Sequence, residues 1–133
     1  MHKASHGFSL IEVLVSMTIF AFGILGMLGM QARAISEFSD AKYRTSATML
    51  TDQLINRIWV DRANIANYAY SGSGAAPAAV ASWLGEVQTA LPNGGATVAV
   101  NGTQVTVSVN WQPPDNASAA QHQHTEIATI QNP

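Results

Sequence analysis

Residues 8–30 read FSLIEVLVSMTIFAFGILGMLGM, twenty-three positions carrying one charge, Glu12. As a helix rising 1.5 Å per residue this stretch is roughly 34 Å long, against a bilayer hydrocarbon core of about 30 Å. It is therefore long and apolar enough to span. Twenty uncharged positions separate Glu12 from Arg33. The whole chain of 133 residues is 47% hydrophobic and 11% charged, where soluble domains carry about 25% charged residues; this segment accounts for much of the excess. Lys3 precedes it in a short leader, residues 1–7, which by the positive-inside rule puts the N-terminus in the cytoplasm and the rest of the chain outside it.

A secretory signal peptide competes with this reading, and Ala32-Arg33-Ala34 imitates its small-x-small cleavage site. Such a signal has an apolar core of about 7–15 residues; the longer run here fits a retained anchor. Glu12 is out of place in a plain anchor, because a carboxylate within an apolar membrane helix costs about 2.5–3.5 kcal/mol on insertion scales. No Lys, Arg or His occurs between Phe8 and Gln31, so the stretch holds no counter-ion of its own. Either Glu12 lies near the cytoplasmic interface and reaches water, or another molecule neutralises it. Gly23, Gly26 and Gly29 leave alternatives open as well: close approach of neighbouring helices, easier local unwinding, or no special role.

Beyond the span, residues 31–68 contain neither proline nor glycine, and Ile35, Phe38, Met49, Leu50, Leu54 and Ile58 recur at helical spacing. One helix from about Ser9 to Asn64 is expected, with Asp40–Arg44 and Arg57–Asp61 as surface pairs worth about 0.3–0.5 kcal/mol each. A connector rich in glycine and serine follows from Tyr70 to Pro77. Val80, Trp83, Leu84, Val87 and Leu91 then form the stripe of a short second helix begun by Pro77 and stopped by Pro92 and Gly94-Gly95. After Gly95 the period becomes two: Val98 and Val100, the hairpin signal Asn101-Gly102, and Val105, Val107, Val109 and Trp111. Pro113-Pro114 ends that hairpin. Residues 115–123 read as polar loop, and 124–131 as a third strand with Thr125, Ile127 and Thr129 on one face. The fold class is α+β, one long N-terminal helix packed against a small antiparallel sheet, with a short second helix.

Gly7-Phe8-Ser9-Leu10-Ile11-Glu12, followed by an uninterrupted apolar helix, resembles the prepilin processing motif of type IV pilins and type II secretion pseudopilins. The resemblance implies the type IV pilin fold, cleavage between Gly7 and Phe8 by prepilin peptidase, N-methylation of Phe8, and pairing of Glu12 with the charged N-terminus of a neighbouring subunit. Residues 22–33 (FGILGMLGMQAR) further resemble the PilV-type minor pilins, with weaker similarity at residues 44–57, 83–84 and 101–111. The implied organisation is a cleaved leader at 1–7, a transmembrane and assembly half-helix at 8–30, an amphipathic half at 31–68 and a globular head at 69–133. The implied location is the inner membrane, as a single-pass protein with a periplasmic head, and then the pilus. The implied partners are other minor pilins and the major pilin. The chain departs from the family in having no cysteine for a C-terminal disulfide and no helix-bending proline in the spanning segment.

Three classes of function follow: a minor pilin that starts or caps a type IV pilus, a type II secretion pseudopilin, and a single-pass protein whose head binds a periplasmic ligand. Net charge −2 argues against nucleic acid as a partner. No enzyme activity, metal or cofactor is expected. His122 and His124 alone make an incomplete metal site and read as solvated loop. The Asn101-Gly102-Thr103 and Asn116-Ala117-Ser118 glycosylation patterns are too short to carry a role.

Overall fold

The computed structural model describes residues 9–114 and 121–131. Helix α1, Leu10–Val60, contributes to each of two compact units, Met1–Phe38 and Ser39–Pro133. The first unit is described from residue 9 and is helical from Leu10 onward, with its large apolar side chains exposed: Phe20 is 70% exposed, Leu25 63% and Met30 75%.

In the second unit the outer part of α1 buries Ala47, Leu50, Thr51, Leu54, Ile55 and Ile58. This stripe corrects the expected one. Leu50, Leu54 and Ile58 do face the core, but Met49 is 67% exposed, as are Ile35 and Phe38 of the first unit at 68% and 79%. Small residues take the inward positions instead, and Thr51 tolerates full burial because its hydroxyl donates to the Ala47 carbonyl at 2.9 Å.

Helix α1 also ends earlier than expected. At Asp61 the backbone leaves helical values (φ −105°, ψ 34°), and a 3-10 segment, Arg62–Tyr68, follows with a break at Asn64. The Asp61 carboxylate holds this corner by accepting from Asn64 Nδ2 at 2.7 Å and from the Tyr68 hydroxyl at 3.0 Å. The expected Arg57–Asp61 pair gives way to these bonds, and Arg57 donates to Ser82 at 3.2 Å. Tyr68 is held above the ordinary tyrosine range by burial and, next, by its bond to Asp61.

Helix α2, Ala78–Ala90, is capped by Pro77, whose carbonyl accepts from the amides of Val80 and Ala81. Of the predicted stripe, Val80, Trp83 and Val87 are fully buried and Leu91 is 1% exposed, while Leu84 is half-buried at the edge of the core. Trp83 Nε1 donates to the Leu50 carbonyl at 2.7 Å, tying α2 to α1. The turn after α2 needs glycine at position 94, where a Cβ would come within 2.7 Å of the Val87 carbonyl oxygen.

Strands β1 (Gly95–Asn101), β2 (Gln104–Trp111) and β3 (His122–Thr129) form an antiparallel sheet in that order. Tyr70 bridges to Val98 on β1. The two-residue hairpin loop is Gly102-Thr103, with Gly102 at φ +62°; the Asn101-Gly102 signal therefore lies one residue early. The observed register sets Val98 opposite Val107 and Val100 opposite Val105, whereas a loop centred on Asn101-Gly102 would face Val100 with Thr103. Pairing β-branched residues across the strands selects the observed turn.

Strand β3 begins two residues before its expected start. Thr125, Ile127 and Thr129 share the exposed face as anticipated, but His122 and His124 are strand residues and not loop. Together with Glu126 and Ala128 they take the half-buried face, opposite Trp111, Val109, Val107 and Val105 of β2. A polar inner face on an edge strand carries little hydrophobic alternation, which is why the sequence pattern stops short of it.

Candidate assembly and processing site

Gly7 and Phe8, the expected processing pair, lie outside the described residues, as does Asn116-Ala117-Ser118. The described chain opens at Ser9, whose carbonyl accepts from the amides of Glu12 at 2.9 Å and Val13 at 3.3 Å. Glu12 thus sits in the first turn of α1, and it is exposed. A carboxylate at a helix N-terminus gains about 0.3–1 kcal/mol from the helix dipole. That is well short of the roughly 2.5–3.5 kcal/mol that a membrane position costs it, so the dipole alone does not account for an acid here. No described residue of the chain supplies its carboxylate with a hydrogen bond or ion pair.

The other polar side chains of this half-helix are satisfied locally. Ser16 donates to the Glu12 carbonyl at 2.7 Å and Thr18 to the Leu14 carbonyl at 2.8 Å, the arrangement that lets hydroxyls enter an apolar medium. A Cβ placed on Gly23, Gly26 or Gly29 meets nothing within 4 Å, so no contact among the described residues calls for glycine at these positions. The most apolar window of α1 has a mean hydropathy of 2.2 and is 0% buried. It is long and apolar enough to cross a membrane.

Residues 2–28 match the prokaryotic N-terminal methylation motif. No curated protein and no solved structure matches the chain. The motif, leading into a long apolar helix, supports a pilin-like protein anchored in a membrane. The long helix, the three-stranded antiparallel sheet and the short helix are the elements of the type IV pilin fold.

In the second unit no group of three or more His, Asp or Glu side chains is placed to hold a metal among the described residues. One carboxyl pair escaped the sequence reading. Glu126 is raised above the ordinary glutamate range by burial and, next, by the neighbouring Asp52 carboxylate. These residues lie far apart in sequence on a strand and a helix, with no local signal to join them.

Proposed function

We propose that this chain is a minor pilin of the PilV type, a structural subunit that helps initiate or cap a type IV pilus. Prepilin peptidase hydrolyses the Gly7–Phe8 amide, and the freed amine of Phe8 is then methylated. The amine remains a cation near neutral pH, since an α-amino group ordinarily titrates at about 7.7–8.0. In the inner membrane the helix anchors the subunit with its head in the periplasm. In the fibre, Glu12 meets the N-terminal cation of a neighbouring major or minor pilin. Two charges removed from water are favourable to each other only in good geometry, so the pair selects the assembled register more than it adds net stability.

The observation that carries this reading is the methylation motif at residues 2–28 running directly into an apolar helical stretch, residues 10–30, whose single acid, Glu12, has no partner among the described residues. Intact-mass and N-terminal analysis of the membrane-extracted protein tests it. Loss of residues 1–7 together with one added methyl on Phe8 is the expected result, and Gly7→Val should leave the precursor uncut. An unprocessed chain recovered from cells with active prepilin peptidase would overturn the proposal.

A further inference from the structure

Between the outer part of α1 and the inner face of β3 lies a half-enclosed recess of about 190 Å³, lined by Arg44, Trp111, His122, Gln123 and His124. Its walls are built from cross-strand pairs: Trp111 stands opposite His122, and their rings stack with centroids 5.7 Å apart and planes inclined by 16°. Trp111 is 2% exposed, and its Nε1 is buried with no hydrogen-bond partner among the described residues. His124 Nε2 is buried in the same condition. Buried polar atoms of native proteins are nearly always paired, so two orphans on side chains lining one recess call for an external partner.

The chemistry of the lining identifies that partner. An indole Nε1 can only donate, and a guanidinium offers five donors and no acceptor. His124 Nε2 donates in its Nε2–H tautomer or as imidazolium. Among the described residues no carboxylate lines the recess; the acid that bears on it is Glu126, which feels the charge of His124 but is held above the ordinary glutamate range by burial and by Asp52. A donor-rich, partly desolvated pocket beside an arginine suits an acceptor that carries negative charge, because charge-assisted bonds are shorter and stronger than those a water can return. We infer that this recess binds a compact oxyanion, a carboxylate or phosphate group, through Trp111 Nε1, His124 Nε2 and the Arg44 guanidinium. The recess lies wholly within the second unit and does not depend on the fibre assignment.

The full chain, ¹⁵N-labelled and held in detergent micelles, is titrated with sodium phosphate or sodium acetate at constant ionic strength, and the indole N–H resonances are followed. The Trp111 resonance, assigned by its loss in Trp111→Phe, is expected to move saturably. The Trp83 indole, already donating to the Leu50 carbonyl, should stay fixed and serves as the internal reference. Arg44 is exposed, so Arg44→Gln leaves the core intact, and it should weaken binding at least about tenfold, the effect of losing one charge-assisted contact. A response to phosphate alone or to acetate alone supports the site and names its preferred geometry. No movement with either anion, movement that sodium chloride reproduces, or undiminished binding by Arg44→Gln overturns the inference.

Discussion

Around Leu54, α1 is enclosed: Ala47, Leu54 and Ile58 have no exposed surface. Around Leu25 the same helix leaves Phe20, Leu25 and Met30 between 63% and 75% exposed. Both stretches are apolar, and both are helical throughout. What separates them is the second surface. Near Leu54 it comes from α2 and the sheet, and the inward positions are small or shaped to fit. Near Leu25 the described chain provides none. Helical character therefore says little about burial; the shape and polarity of what packs against a helix decide it.

The largest expected break in this comparison is Trp83→Ala. It opens a cavity beside Leu50 and orphans no donor, and the loss should be about 3–5 kcal/mol of head stability, read as a lowered thermal midpoint or faster proteolysis of residues 39–133. Leu25→Ala, made in the exposed stretch, should leave that midpoint within about 0.5 kcal/mol of wild type. Equal destabilisation by the two substitutions would erase the distinction.

Glu12→Ala sharpens the contrast from the other side. Processing, insertion and the head's midpoint should be unchanged, while incorporation into fibres falls by about tenfold, the equivalent of 1.4 kcal/mol. Quantifying the subunit in sheared fibres against the membrane fraction checks this, and wild-type incorporation would remove Glu12 from assembly.

Tyr68→Phe is expected to cost about 1 kcal/mol, the usual worth of a partly buried hydrogen bond, here to Asp61 at 3.0 Å. Because the folded Tyr68 is raised above its ordinary pKa of 10.0, its contribution is whole below pH 10 and is lost as pH rises through the folded value. Unfolding curves at alkaline pH should converge for wild type and variant.

The smallest effect belongs to Glu126→Gln. Glu126 is raised from 4.5, by burial first and Asp52 second, so the folded state is favoured at acid pH and loses that advantage as pH climbs through the folded value. Removing the charge should therefore raise the neutral-pH midpoint, by no more than about 1 kcal/mol for a partly exposed pair. A lowered midpoint would mean that the ionised carboxylate stabilises the head.

The α2 stripe from Val80 to Leu91 and the valines of the hairpin were legible in the sequence because each has a clean period and a glycine or proline at its end. The inward stripe of α1 was not, since Ala47 and Thr51 look neutral to hydrophobic patterning while Ile35, Phe38 and Met49 look like core. The hairpin loop fell one residue from its signal because pairing Val100 with Val105 outweighed the local preference of Asn101-Gly102. Of the candidate site, Gly7, Phe8 and Glu12 entered through their resemblance to the prepilin motif, and the methylation motif matched at residues 2–28 spans all three. The recess beneath Trp111 was not legible, because its walls come from three segments that meet only in the folded sheet.

The inward-turned hydroxyls of Ser16 and Thr18 have a mechanical consequence. With their hydrogens spent on their own helix, they leave the flank of the rod without lateral hooks, and a parallel rod beside it could slide lengthwise while exchanging one set of methyl contacts for another. Under the proposed pairing of Glu12 with a neighbour's N-terminal cation, the axial stagger between two such helices would be set at one point along their length.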